Sequence, residues 1–194
     1  GTEFTNCLAP AIFSWRASNL EVREASISNC PVGIEARRTS TTNLENNFME
    51  EVETGIDYHT PPGFYPPLTR IVDNRIYASI TGIKMQTEKG GYGVINNFLQ
   101  INGEVATGLN ISGYGNASGL FNIIENTIYF LDGNQGMFVN HQGIVAVQRN
   151  TVFVTSLTEE EYDGMCLINQ RLLYTFCTEV NSASLGLDRS EEHA

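Results

Sequence analysis

The sequence predicts an all-β chain wound as a right-handed, single-stranded parallel β-helix, a solenoid of about eight coils with an asparagine ladder along one corner. Three observations predict it: two short signatures that alternate along almost the whole chain, a repeat length in the low twenties, and a composition suited to short strands and tight turns. Eighteen Gly, abundant Asn and Thr, eight Tyr and ten Phe favour strands over long helices. The 194 residues fit one ordinary domain, and 41% apolar residues are enough for a continuous core.

The first signature is Asn, any residue, then a large apolar residue. It occurs as Asn46-Asn47-Phe48, Asn74-Arg75-Ile76, Asn96-Asn97-Phe98, Asn126-Thr127-Ile128 and Asn150-Thr151-Val152. From one apolar anchor to the next (Phe4, Ile27, Phe48, Ile76, Phe98, Ile128, Val152) the steps are 23, 21, 28, 22, 30 and 24 residues. A period in the low twenties holds three short alternating strands per turn, and the variable steps mark loops of different length at fixed corners. Asn suits such a corner because its amide donates and accepts at once and because it tolerates a left-handed backbone. Stacked along the axis, these amides form a hydrogen-bonded ladder.

The second signature is Gly, an aliphatic residue and, two positions on, another apolar one. It runs Gly33-Ile34-Glu35-Ala36, Gly55-Ile56-Asp57-Tyr58, Gly82-Ile83-Lys84-Met85, Gly108-Leu109-Asn110-Ile111, Gly136-Met137-Phe138-Val139 and Gly164-Met165-Cys166-Leu167. This column marks a corner that needs positive φ or a close backbone approach. In the first two coils Thr2 and Ala25 stand at the ladder position, and Ala11 replaces the Gly. A left-handed hexapeptide solenoid would show an aliphatic residue every six, and a propeller would repeat at about 40 or more; neither pattern is present.

The solenoid is expected over 1–181, with Leu172 to Val180 as its last coil and 182–194 as a polar tail. Because the repeat starts within a few residues of Gly1 with no amphipathic helix before it, the first coil's open edge implies either a fragment of a longer solenoid or cover from another chain. Cys7 and Cys30 share the contexts Thr5-Asn6-Cys7 and Ser28-Asn29-Cys30, which puts them on neighbouring coils about 5 Å apart. That spacing permits a disulfide, and two small buried thiols are the other reading. None of the four Cys forms a CxxC pair or a zinc-spaced cluster with His.

On these alternating columns the chain resembles the pectate-lyase-like superfamily of right-handed parallel β-helices, which includes polysaccharide lyases, pectin hydrolases, alginate epimerases and phage tailspikes. The resemblance runs from Phe4 to Val180 and implies the fold; it carries no catalytic motif that transfers residue by residue.

Chemistry is sought on the strand after the Gly corner, whose outward residues form two columns. The first is Glu35, Asp57, Lys84, Asn110, Phe138 and Cys166; the second is Arg37, His59, Gln86, Ser112, Asn140 and Ile168. Neighbouring coils lie about 4.8 Å apart, so Glu35, Arg37, Asp57, His59 and Lys84 fall into one patch across three coils. Gln86 and Asn110 extend it. The Pro-rich corner after His59, Thr60-Pro61-Pro62-Gly63-Phe64-Tyr65-Pro66-Pro67, brings Phe64 and Tyr65 beside the patch as a wall for a saccharide. Loops around Gly103 to Thr107 and Ser156 to Asp163 are expected to form the opposite bank.

By the resemblance, lyases of this type hold Ca²⁺ on carboxylates and abstract a proton with Lys or Arg. That implies Lys84 or Arg37 as base, with His59 beside them, and Asp57 with Glu35 as ion ligands. Closely spaced Asp pairs of the pectin-hydrolase kind are absent. The plain alternative is a set of alternating surface charges that keeps a solenoid face hydrated. Similarly, Glu159-Glu160-Glu161-Tyr162-Asp163 reads either as a solvated acidic loop or as a Ca²⁺ ligand set. Trp15 reads either as an exposed sugar platform or as core. His141 and His193 have no partner pattern.

A net charge of −11 opposes nucleic acid and anionic lipid. No stretch approaches the roughly 20 apolar residues of a membrane span, and the N-terminus lacks a signal-peptide pattern, so the chain is expected to be soluble and free of membrane partners. Two functions follow. One is an extracellular module that binds or processes a polysaccharide on the stripe, a lyase or glycosidase-like enzyme if it cleaves. The other is a structural or interaction solenoid at a cell or virion surface, such as a tailspike, adhesin or fibre segment, which self-associates through outward apolar groups at Tyr129, Phe138 and Ile168.

Overall fold

The structure, a computed structural model, describes residues 1–103, 106–113, 120–130, 135–140, 144–154, 163–169 and 174–178, of which 130, 135, 144, 153–154, 163–169 and 174–178 by backbone alone. Among the described residues the chain winds through six complete turns. β1 (Glu3–Thr5), β2 (Ile12–Trp15) and β3 (Asn19–Arg23) make the first turn; β4 (Ser26–Arg37) and β5 (Thr41–Glu45) the second. β6 (Phe48–His59) and β7 (Leu68–Val72) make the third, and β8 (Arg75–Thr87) and β9 (Gly91–Ile95) the fourth. The fifth is β10 (Phe98–Ile101), β11 (Thr107–Gly113) and β12 (Leu120–Ile124); the sixth is β13 (Thr127–Phe130), β14 (Gln135–Asn140) and β15 (Ile144–Gln148). β16 (Thr151–Val154) and β17 (Asp163–Asn169) begin a seventh. All pairs between turns are parallel, and β3, β5, β7, β9, β12 and β15 form a sheet of their own.

Six complete turns and the start of a seventh replace the eight expected, because the strand at Tyr174–Thr178, in the stretch expected as the last coil, does not pair as a further coil. β18 (Tyr174–Thr178) lies antiparallel to β17, with Met165 opposite Thr178 and Asn169 opposite Tyr174. Only four residues separate the two strands, too few for the circuit that a parallel return requires, so the chain reverses as a hairpin. The polar tail expected at 182–194 lies outside the described residues.

The ladder is present and runs through the interior. Asn47 Nδ2 donates to Asn74 Oδ1 (2.9 Å), Asn74 Nδ2 to Asn97 Oδ1 (3.0 Å), Asn97 Nδ2 to Asn126 Oδ1 (2.9 Å) and Asn126 Nδ2 to Asn150 Oδ1 (2.9 Å). Each amide oxygen also accepts the backbone N–H of the ladder residue one turn earlier, beginning with Ala25 N to Asn47 Oδ1 at 3.0 Å. The amide nitrogens further reach the carbonyls of Val22, Leu44, Ile71, Val94 and Ile123. Each Asn thus satisfies backbone groups at a bend where the strand ladder is interrupted.

In two turns the ladder Asn is the second of a pair, Asn47 and Asn97, where the sequence pattern pointed to Asn46 and Asn96. The two properties that recommended Asn, an αL backbone and a two-way amide, are divided between consecutive residues. The left-handed position is Glu24, Asn46, Asp73, Asn96, Glu125 and Arg149, with φ between 53° and 58°; the ladder residue follows it. Correcting the frame moves two core anchors as well. Met49 and Leu99, both fully buried, stack with Ile27, Ile76, Ile128 and Val152, while Phe48 and Phe98 turn outward.

The Gly column is a close approach. A Cβ on Gly33, Gly55, Gly82 or Gly108 would lie 2.6 Å from the carbonyl oxygen of the next Gly in the column. The disulfide is one of the two readings left open for Cys7 and Cys30, and it forms: their Cα atoms are 4.6 Å apart, joining the first two turns. Closing a loop of this length contributes about 3 kcal/mol on a chain-entropy model.

The ladder yields a paired prediction for chemical denaturation. Asn97→Ala orphans several buried donors and acceptors and is expected to cost about 3–5 kcal/mol. Asn96→Ala loses only an αL-tolerant residue and an exposed hydrogen bond, at about 1 kcal/mol. Equal costs would contradict the assignment.

Candidate functional site

Alternation after each Gly decides which side chains reach solvent. Ile34 and Ala36 point inward and are fully buried, so Glu35 and Arg37 point outward; Ile56 and Tyr58 do the same for Asp57 and His59, and Ile83 and Met85 for Lys84 and Gln86. The strand pairing sets Glu35 beside Asp57, Asp57 beside Lys84 and Lys84 beside Asn110, and sets Arg37 beside His59, His59 beside Gln86 and Gln86 beside Ser112. The expected columns therefore lie in register on one face.

The patch contains an ion-pair network. Arg37 Nε donates to Glu35 Oε1, and its Nη2 lies 3.5 Å from Asp57 Oδ2. The two carboxylates are mostly covered, with side chains 14% and 16% exposed. One guanidinium thus bridges two turns and compensates the charge of both acids. Lys84 is exposed and joins no ion pair among the described residues. Partial burial pushes the His59 imidazole below its usual value of 6.5; Arg37 and Lys84 push the same way, while Asp57 and a hydrogen bond with Gln86 act against them.

This arrangement bears on the chemistry the resemblance implied. A Ca²⁺ ion takes about six to eight oxygen ligands. Glu35 and Asp57 already face Arg37, and among the described residues no three His, Cys, Asp or Glu side chains gather as a metal set. Engaged with Arg37, the two carboxylates do not by themselves supply the oxygen set that this ion takes. Arg37 is held by two carboxylates, whereas Lys84 is the stripe cation without an ion pair among the described residues.

The corner after His59 is pinned on three sides. Gly63 N donates to Glu88 Oε2 (2.5 Å), the Arg38 guanidinium sits 5.9 Å from the Phe64 ring centre, and Lys89 Nζ lies 4.6 Å from that of Tyr65. Phe64 is half-buried and Tyr65 is exposed. Both expected aromatics therefore already carry a cation on one face.

Two further exposed aromatics stand at the start of the stripe. β2 pairs with β4 so that Phe13 aligns with Glu35 and Trp15 with Arg37, and their exposures are 57% and 55%. Trp15 is an outward side chain, with the Arg16 guanidinium 5.6 Å from its ring centre. Phe13 was missed in the sequence because Ala11 breaks the Gly signature in that turn. Aligning Ala11-Ile12-Phe13-Ser14-Trp15 on Gly33-Ile34-Glu35-Ala36-Arg37 would have found it.

Elsewhere, the outward Phe48, Tyr77 and Phe98 rings pack in a row, tilted by 58° and 51° with centres 5.8 Å apart at each step. Beside them a cleft of about 510 Å³ opens between Glu50 and Glu51 on one turn and Tyr77 and Ser79 on the next. It forms where compensating bulges follow Met49 and Val52. Of the apolar groups expected outside, Tyr129 and Phe138 are partly buried, while the side chain of Ile168 lies outside the described residues. His141, His193, most of the 156–163 loop with Glu159 to Glu161, and 104–105 of the other bank also lie outside them.

A parallel solenoid with an interior Asn ladder and flat outward stripes defines a class, the right-handed β-helices. The sequence pattern described as "Right handed beta helix region" matches residues 1–118, more than half of the chain, and the protein belongs to that family. No curated protein and no solved structure matches it.

The His59 environment predicts the sign of a pH effect. Its protonated form is disfavoured in the fold, so stability falls as pH drops through the unfolded-state value of 6.5 and levels off below the folded-state value. Proton NMR should place the His59 midpoint below 6.5, and Asp57→Asn should lower it further by removing a carboxylate that favours the imidazolium. A midpoint at or above 6.5 would contradict the described surroundings.

Proposed function

We propose that this protein is an extracellular polysaccharide-binding β-helix module whose ligand lies along the stripe from Phe13 and Trp15, across Glu35, Arg37, Asp57 and His59, to Lys84, Gln86 and Asn110. One observation carries the reading: two half-exposed aromatic side chains stand in register with the columns of carboxylates and amides. Aromatic rings stack on the C–H faces of pyranose rings, while carboxylates and amides hydrogen-bond to ring hydroxyls. A repeat of about 4.8 Å between turns presents these groups at a spacing comparable with one sugar residue.

The Cys7–Cys30 disulfide fits an oxidising, extracytosolic compartment, and no helix among the described residues is long and apolar enough to cross a membrane. If the module also cleaves its ligand, Lys84 is the base candidate that the ion-pair network leaves available.

A second reading, a structural or interaction solenoid on a cell or virion surface, draws on Leu68 and Leu120. Both are 46% exposed and stand in one outward column with only Gly91 between them.

Affinity electrophoresis against a panel of soluble polysaccharides separates the two readings, with reducing ends and ultraviolet absorbance of unsaturated products followed in parallel. Retardation by at least one polysaccharide, weakened about tenfold by Trp15→Ala, is expected. No retardation, together with a concentration-dependent oligomer in light scattering that Leu68→Ser/Leu120→Ser disperses, would replace binding with the interaction reading.

A further inference from the structure

We infer that the stripe selects a neutral, hydroxyl-rich glycan over a polymer of uronic acids. The inference rests on the polysaccharide reading above and names the charge class of its ligand. The charged groups on the stripe's columns are Glu35, Arg37, Asp57, His59 and Lys84; Arg16 lies over Trp15 at its start, and the adjoining corner adds Arg38, Glu88 and Lys89. With His59 neutral, the two acids and two bases of the stripe cancel.

Cancellation is local as well as formal. Arg37 is held between Glu35 and Asp57, so its charge is already compensated. Lys84 is the one stripe cation without an ion pair among the described residues, and it aligns with Asp57. In the corner, Glu88 accepts from Gly63, while Arg38 and Lys89 lie over Phe64 and Tyr65. On the columns of β4, β6 and β8 a polyuronate would meet one unpaired ammonium and two carboxylates, the remaining cations Arg16, Arg38 and Lys89 being seated over aromatic rings at the stripe's margins. Those carboxylates offer only acceptors, and so does the carboxylate of an ionised uronic acid.

Hydroxyls present the complementary case. Each carboxylate retains lone pairs beyond those facing Arg37, and a sugar O–H donated to an ionised oxygen makes a charge-assisted hydrogen bond. Arg37 orients both acids for this role. Phe13 and Trp15 supply apolar faces that attract C–H surfaces regardless of charge. At longer range the chain's net charge of −11 disfavours approach of any polyanion.

The test is affinity electrophoresis of the full chain in galactomannan, xyloglucan, polygalacturonate and alginate, each at low and high salt. Retardation by a neutral polymer, at least about tenfold stronger than by either uronate and little changed by salt, is expected. A uronate bound as tightly as the neutral polymers, with affinity falling as salt rises, overturns this inference and leaves polysaccharide binding in place. Binding to none of the four overturns the inference and counts against the reading beneath it. The variant Glu35→Gln/Asp57→Asn frees Arg37 and leaves the stripe cationic. With its circular dichroism and unfolding midpoint preserved, it should gain about tenfold in polygalacturonate affinity; no gain would contradict the role given to the two acids. Should the variant fail to fold, the four wild-type arms decide alone.

Discussion

The interior asparagine ladder is the constraint on which the rest of the molecule depends. A β-coil must bend sharply three times per turn, and at each bend backbone N–H and C=O groups leave the strand pairing while still facing the core. At one corner Asn47, Asn74, Asn97, Asn126 and Asn150 take up those groups, each amide bonded to the next. A chain of oriented amides in a low-dielectric interior is strong when complete and costly when broken. It also fixes turn-to-turn register, since an amide shifted by one residue would point to solvent and strand its partners. The Gly column enforces the same register from another corner by letting backbones approach where no Cβ fits.

Register is what turns scattered residues into a surface. Glu35, Asp57 and Lys84 are separated by more than twenty residues at each step in sequence, yet they become neighbours because the pairing of β4, β6 and β8 follows the ladder. The charges then organise one another: one guanidinium spans two turns, compensates two acids and leaves a single ammonium beyond them. Loop length can vary between the columns without disturbing this, since the long Pro-rich insertion between β6 and β7 leaves the pairing on both sides intact.

The fold was legible in the sequence because a ladder and a close-approach column each demand one residue type at every turn. Its frame was less legible where two asparagines adjoin. In Asn46-Asn47 and Asn96-Asn97 the αL residue and the ladder residue are the same amino acid, and pattern alone favoured the first. Where the αL position is Asp73, Glu125 or Arg149, no such ambiguity arose and the anchors Ile76, Ile128 and Val152 were placed correctly. The hairpin of β17 and β18 escaped because apolar alternation reads the same in a parallel coil and an antiparallel strand. The outward columns were readable by counting from Gly, and for that reason Phe13, whose turn carries Ala11, was not. The pairing of Arg37 with both Glu35 and Asp57 depends on rotamers across two turns, which spacing does not encode.

The most direct test of the claim that column register holds this solenoid together compares two glycines by thermal unfolding. A Cβ at Gly82 would lie 2.6 Å from the Gly108 carbonyl oxygen, whereas at Gly93 its nearest neighbour would be the flexible Ile95 Cδ1 at 3.4 Å. Gly82→Ala is predicted to lower the midpoint by about 10 °C or more, or to abolish cooperative unfolding, while Gly93→Ala shifts it by only a few degrees. A Gly82→Ala protein that unfolds like the wild type would contradict the account.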